Sequence, residues 1–355
     1  VPLDSEPPGP ITTEEDQTSE LEPIPTEPPT GPPGGSIFSL EGRPAAGLYL
    51  VAWLLLLAGF AILFMTLLAS AEGIQPARAI QPILGIIGTA ALGLGFSAAA
   101  GYQIVARGAT RPPERYRGPS PAICFGVVLM VGVLVSVVLA QIGFSPGEDR
   151  GPGFTANLLS VAAAYWFVVW LFVVRSGALT WRDMGWPSRQ RLTNALGAIG
   201  FGITVAVPSL VAISVLATVV SMLLGGTDAP NVVPAPRTGA DMVLIAVSTV
   251  LVAPFGEELF FRGFALAAWL RDLGPRSAII RSAVFFGLVH ILNISSVDFG
   301  TGAKQAILVL VQILPLGLLL GWLFVRRGIL ASIAAHATYN GLILLIVLNA
   351  PRTPG

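Results

Sequence analysis

Nine apolar stretches, each near the ~20 residues that ~30 Å of hydrocarbon requires, follow one another between residues 45 and 348. A soluble domain has no core large enough to bury them. They fall at 45–70, 79–106, 121–144, 155–175, 193–224, 241–270, 278–297, 305–325 and 328–348. Only 11% of the 355 residues are charged and 54% are hydrophobic, against roughly 25% charged in a soluble domain, and mean hydropathy is +0.76. The expected fold class is an all-α polytopic membrane protein of about nine transmembrane helices. Between the fourth and fifth stretches, "LTWRDMGWPSRQRL" (179–192) sets tryptophans among arginines, the composition of a short element lying in the membrane interface.

Ahead of the helices, residues 1–36 hold eight acidic residues, no basic ones and many prolines. Such a segment buries too little apolar surface to fold. It is expected to be a disordered acidic tail, and to be retained, since it lacks the basic start of a signal peptide. Three regions result: a tail over 1–40, an N-terminal four-helix region over 41–178, and a core over 179–350. Fourteen arginines fall in the tail and the even-numbered loops, against five lysines and arginines on the other side. The positive-inside rule then puts the N-terminus in the cytoplasm, in a multi-pass protein of the cell membrane. With no net charge and a single lysine, Lys304, the chain offers no basic face for nucleic acid. One cysteine, Cys124, forms no intrachain disulfide and reads as a small buried hydrophobe. No internal repeat suggests a transporter built from inverted halves.

Ionisable groups at membrane depth are costly and mark working sites. They are confined here to the later helices. "GEELFFRGF" (256–264) carries Glu257, Glu258 and Arg262, the seventh helix carries His290, and the ninth carries His336 and Asn340. Both histidines of the chain therefore lie in membrane helices. Glu258 and Arg262, at i and i+4, share one helix face in the order that suits an ion pair. Glu257 points about 100° away from them, so it is expected to face a cavity as an unpaired acid, its pKa raised by desolvation as a general base requires. Pro254 removes a backbone hydrogen bond and is expected to open the helix locally. Phe286 one turn before His290 and Asn293 nearly one turn after it are placed to buttress and hydrogen-bond the ring. "HATYN" (336–340) stacks His336 and Asn340 on one face, as two donors to a developing oxyanion. Counted from Gly328 and Ala278, the two histidines lie roughly 12–18 Å from the arginine-rich end.

"EELFFR" fits EExxxR, "FGLVH" fits FxxxH and "HATYN" fits HxxxN, in that order on successive helices. Together they resemble the CPBP family of intramembrane proteases, the CAAX-protease and bacteriocin-processing group that includes Rce1-like prenyl-protein endopeptidases, over roughly residues 180–345. The resemblance implies an all-helical hydrolase with a cavity open towards the cytoplasm and a peptide or lipidated protein as substrate. In it Glu257 and His290 activate a water, His336 and Asn340 stabilise the oxyanion, and Glu258 and Arg262 support them. The family is also labelled as metalloproteases, and Glu257, His290 and His336 make a plausible zinc set. The expected mechanism is metal-free, with zinc as the alternative. Two rival readings keep the same residues, a noncatalytic immunity or scaffold protein and a proton-coupled transporter.

Overall fold

Apolar runs of spanning length fold as helices because every backbone N–H and C=O must be satisfied within the segment in lipid. The computed structural model describes residues 40, 42–71, 75–141, 143, 151–187, 194–228, 230, 233–294 and 298–349. Among these, the nine expected stretches appear as α1 (Ala46–Ala71), α2 (Gln75–Thr110), α3 (Pro121–Gln141), α4 (Pro152–Val174), α5 (Ala195–Leu223), α6 (Gly239–Leu270), α7 (Pro275–Ile291), α8 (Phe299–Arg327) and α9 (Ile329–Asn349). No strand occurs among the described residues. Eight of the nine are long and apolar enough to cross a membrane. The exception is α7, whose 17 residues span about 25 Å; it starts at Pro275 and ends at Ile291, not over the expected 278–297. Apart from Leu40, the expected tail of residues 1–40 lies outside the described residues.

Helices α1 to α4 pack in series, each on the next. Beyond them α5 packs on α8 and α9, α7 packs on α8, and α6 touches α4, α7, α8 and α9. The core follows from that central place. Phe260, Phe261 and Phe264 of α6 are fully buried, with Tyr165 of α4 4.8 Å from the Phe260 ring and Phe286 of α7 5.0 Å from Phe261. Close approach depends on glycine at two positions. A Cβ on Gly256 would stand 3.0 Å from the Ala162 backbone of α4, and one on Gly202 of α5 would collide with the Ala331 carbonyl of α9. Large apolar side chains such as Phe60, Leu67, Met222 and Leu223 stay outward, the surface expected against lipid rather than water.

Three contacts gather the even-numbered connections at one end of the bundle. Asp272, between α6 and α7, pairs with Arg111 beyond α2 at 2.9 Å. Arg271 pairs with Asp183, between α4 and α5, at 2.8 Å. Gly185 accepts the Ile329 N–H at the single-residue turn between α8 and α9. Residues 179–187 of the expected interfacial element are turns rather than helix. They sit partly inside the protein, with Leu179 and Met184 buried in the core; residues 188–192 lie outside the described residues.

This clustering predicts opposite accessibility for successive connections. With Cys124 replaced by alanine, single cysteines at Arg115 and Asp228, both exposed, should react with an impermeant thiol reagent from opposite sides of sealed vesicles. Labelling of both from one side would overturn the nine-helix alternation.

Candidate active site

Helix α6 is not uniform, and proline explains the first irregularity. Pro254 has no N–H and its ring crowds the carbonyl four residues back. The chain responds with a π turn over Ser248–Val252, in which the Ala253 N–H reaches back five residues to the Ser248 carbonyl. A second π segment spans Leu259–Leu266. Between them one and a half turns of α-helix, Ala253–Glu258, carry both glutamates. Such wide turns within α-helices recur where side chains must be re-aimed for function.

Glu258 and Arg262 are both completely buried. The guanidinium Nη1 donates to Glu258 Oε1 at 2.8 Å, as the four-residue spacing predicts, and Nη2 donates to the Gly317 carbonyl of α8 at 3.3 Å. The other carboxylate oxygen of Glu258 accepts a short hydrogen bond from the Ser332 hydroxyl of α9. A third partner completes the set: His336 Nδ1 lies 2.9 Å from Glu258 Oε1. Two helices, α6 and α9, are thus joined through one carboxylate, and its guanidinium partner carries the link on to α8. The Ser332 contact has a sequence signal, since Ser332 stands four residues before His336 on the same face of α9.

Glu257 turns away from this cluster, as its helical position predicts, and is 22% exposed. Its Oε2 lies 3.8 Å from His336 Nε2 and 4.0 Å from His290 Nε2. The orientation of both rings is set from behind. His290 Nδ1 lies 2.8 Å from the Phe286 carbonyl, which only accepts, and His336 Nδ1 faces a carboxylate. Each ring therefore carries a proton on Nδ1 and presents Nε2 to Glu257. Phe286 serves three neighbours: its ring lies 4.3 Å from the Arg262 guanidinium, 4.4 Å from the His290 ring and 5.9 Å from the His336 ring.

Two positions differ from the sequence-based expectation. His290 occupies the last turn of α7, fifteen residues from Pro275 and so about 22 Å from that end, deeper than the count from Ala278 implies because the helix starts earlier. Because α7 stops at Ile291, Asn293 lies beyond the helix end and is exposed. The contact to the His290 ring nitrogen comes from the Phe286 carbonyl instead. Asn340 is near the site, one turn after His336, and its Nδ2 donates to the Thr249 carbonyl of α6 at 3.1 Å.

Neighbouring ligands of a tetrahedral zinc with ~2.0–2.1 Å bonds are about 3.3–3.4 Å apart. Both nitrogen–oxygen separations here are wider, and among the described residues no group of three or more His, Cys, Asp or Glu is placed to hold a metal ion.

Residues 239–342 match the family model described as Type II CAAX prenyl endopeptidase Rce1-like. The segment runs from the first residue of α6 into α9 and contains every side chain of the site. No curated protein and no solved structure matches the chain.

Removing the Glu258 carboxylate leaves a buried guanidinium and two polar groups without their acceptor. Glu258→Ala should cost roughly 3–5 kcal/mol of stability, read as a fall in melting temperature in detergent. Glu258→Gln combined with Arg262→Met should recover a large part of the loss. Equal melting temperatures for Glu258→Ala and the unaltered protein would refute the role of this carboxylate as the joint between helices.

Proposed function

We propose, from the match of residues 239–342 to the Rce1-like family model and the geometry of the site, that the protein is an intramembrane endopeptidase of CAAX type that activates water with Glu257 and His290. One observation carries the reading: a single oxygen of Glu257 faces the Nε2 atoms of both histidines across 3.8 and 4.0 Å. A water about 2.8 Å from each atom bridges the carboxylate to either ring. Nothing else in the described spans brings together a carboxylate and two imidazoles with their protonation sites so arranged.

In the proposed reaction Glu257 Oε2 takes a proton from that water as its oxygen adds to the peptide carbonyl, and His290 Nε2 accepts the second hydrogen bond and orients the attack. The negative charge forming on the carbonyl oxygen is met by two donors. His336 supplies an Nε2–H when its ring is doubly protonated, with its Nδ1–H anchored on Glu258, and Asn340 supplies the amide hydrogen not used on Thr249. Collapse of the intermediate breaks the C–N bond, and the proton held by Glu257 passes to the leaving nitrogen. Glu258, Arg262, Ser332 and Phe286 touch no reacting atom in this scheme and hold His336 and His290 in place. No step requires a metal ion.

The substrate is a peptide or lipidated protein entering from the bilayer. The end that gathers Arg111, Arg182, Arg271, Arg326 and Arg327 is assigned to the cytoplasm by the positive-inside rule, with the N-terminus on that side of the cell membrane. Helical rise sets the reacting carboxylate about 20 Å from the end of α6 at that face, so the scissile bond must be drawn well into the protein.

Glu257→Gln should lower turnover of a quenched peptide by at least about 10³-fold with an unchanged melting temperature, the loss expected for a missing general base; a variant with full activity would eliminate the mechanism. Activity should persist after exhaustive chelation, and elemental analysis should find no stoichiometric zinc. Zinc that is lost in both His290→Ala and His336→Ala, with chelator-sensitive activity, would replace this scheme by a metal-dependent one.

A further inference from the structure

Pro254 does more than widen a helix turn: it determines which way Asn340 points. Within a regular α-helix the Thr249 carbonyl would accept the Ala253 N–H, but that N–H is taken by the Ser248 carbonyl five residues back. In the π register the donor for Thr249 would be residue 254. That residue is proline, which has no N–H. The Thr249 carbonyl is therefore left without a backbone donor in both registers, in the interior of a membrane helix where a carbonyl has to find its donor within the protein. The Asn340 amide fills the gap, with Nδ2 3.1 Å from the Thr249 oxygen.

We infer that Pro254 is a positioning residue for Asn340, creating the orphaned carbonyl that fixes one amide hydrogen of Asn340 and so turns the other towards the reacting centre. The inference rests on the oxyanion role proposed for Asn340, and it explains a feature which that role leaves open. A side-chain amide has a broad, soft final torsion and a free choice of hydrogen-bond partners. A donor to a transition state must be held before the charge appears, because reorganising it at that moment forfeits the benefit. One amide N–H bound to a carbonyl in a fixed turn of α6 removes that freedom. The carbonyl belongs to the turn that leads into Glu257, eight residues ahead, so donor and base share one frame. Two nearby hydroxyls are engaged elsewhere: Ser248 Oγ donates to the Leu244 carbonyl at 2.6 Å, and Thr338 Oγ1 donates to the Ala334 carbonyl at 2.8 Å.

Replacing the proline restores the missing N–H. In Pro254→Ala the Thr249 carbonyl gains a backbone donor and Asn340 is released. The test is a double-mutant cycle of Pro254→Ala and Asn340→Ala in the full-length protein, measured in detergent as both melting temperature and turnover. Asn340→Ala alone should lower the melting temperature by about 2–4 °C, the effect of stranding one acceptor, and the same substitution should have a markedly smaller effect in the Pro254→Ala background. In turnover, Pro254→Ala should lower kcat about tenfold with KM unchanged, and should have no further effect once Asn340 is alanine.

The two readouts separate the two ideas. Thermal coupling without any kcat effect of Asn340→Ala would reject the oxyanion role while leaving the anchoring intact. Additive melting-temperature effects would overturn the anchoring itself, whatever happens to turnover. Should Pro254→Ala not accumulate in membranes, Pro254→Gly restores the same N–H, and the same non-additivity is expected of it.

Discussion

The fully buried carboxylate of Glu258 is the point on which the protein core turns. Taking an ion out of water costs several kcal/mol even after relaxation, and the cost is offset only if its lone pairs are all met in good geometry. Here they are met by Arg262 of its own helix and by Ser332 and His336 of α9, while Arg262 is passed on to the Gly317 carbonyl of α8 and the Phe286 ring of α7. These contacts form together only when α6, α7, α8 and α9 adopt one mutual arrangement. Apolar packing in a membrane has little preference among helix rotations, because lipid tails are as apolar as leucine. The polar joint supplies the preference, and it aligns the two imidazoles as a by-product.

Charge and shape therefore divide the work of adjacent residues. Glu257 and Glu258 differ by one position and face opposite demands: one is enclosed by donors, the other is left partly exposed. The irregular turns on either side of the pair matter for this division. Flanked by π segments at Ser248–Val252 and Leu259–Leu266, the short α-helical piece is rotated relative to an ideal helix, so that Glu258 meets α9 while Glu257 meets the gap between α7 and α9. Phe260, Phe261 and Phe264, all fully buried, fill the space on the remaining side and exclude water from the joint.

Much of this was legible from residue order. Hydropathy located all nine helices, and four-residue spacing paired Glu258 with Arg262 and turned Glu257 aside. What escaped was of two kinds. The apolar sequence continues past Ile291 through Leu292 and Ile294, so periodicity carried α7 too far and brought Asn293 onto a face it never occupies. Partners distant in sequence were also hidden: nothing local to His336 says that its Nδ1 meets a carboxylate 78 positions earlier, nor that Asn340 is used by a carbonyl 91 positions away. Pro254 gave notice of a disturbance in α6, yet only the placement of α9 reveals which group resolves it.

The shortness of α7 also bears on the lipid around it. At about 25 Å it falls some 5 Å below the ~30 Å hydrocarbon layer, a hydrophobic mismatch that bilayers relieve by thinning beside the short segment. The exposed Leu288 and Leu292 bracket the turn where the dimple would form, and that turn holds His290. A locally pinched leaflet draws hydrated headgroups towards an imidazole that is itself partly exposed, giving hydrolytic chemistry inside a membrane a nearby supply of its second reactant.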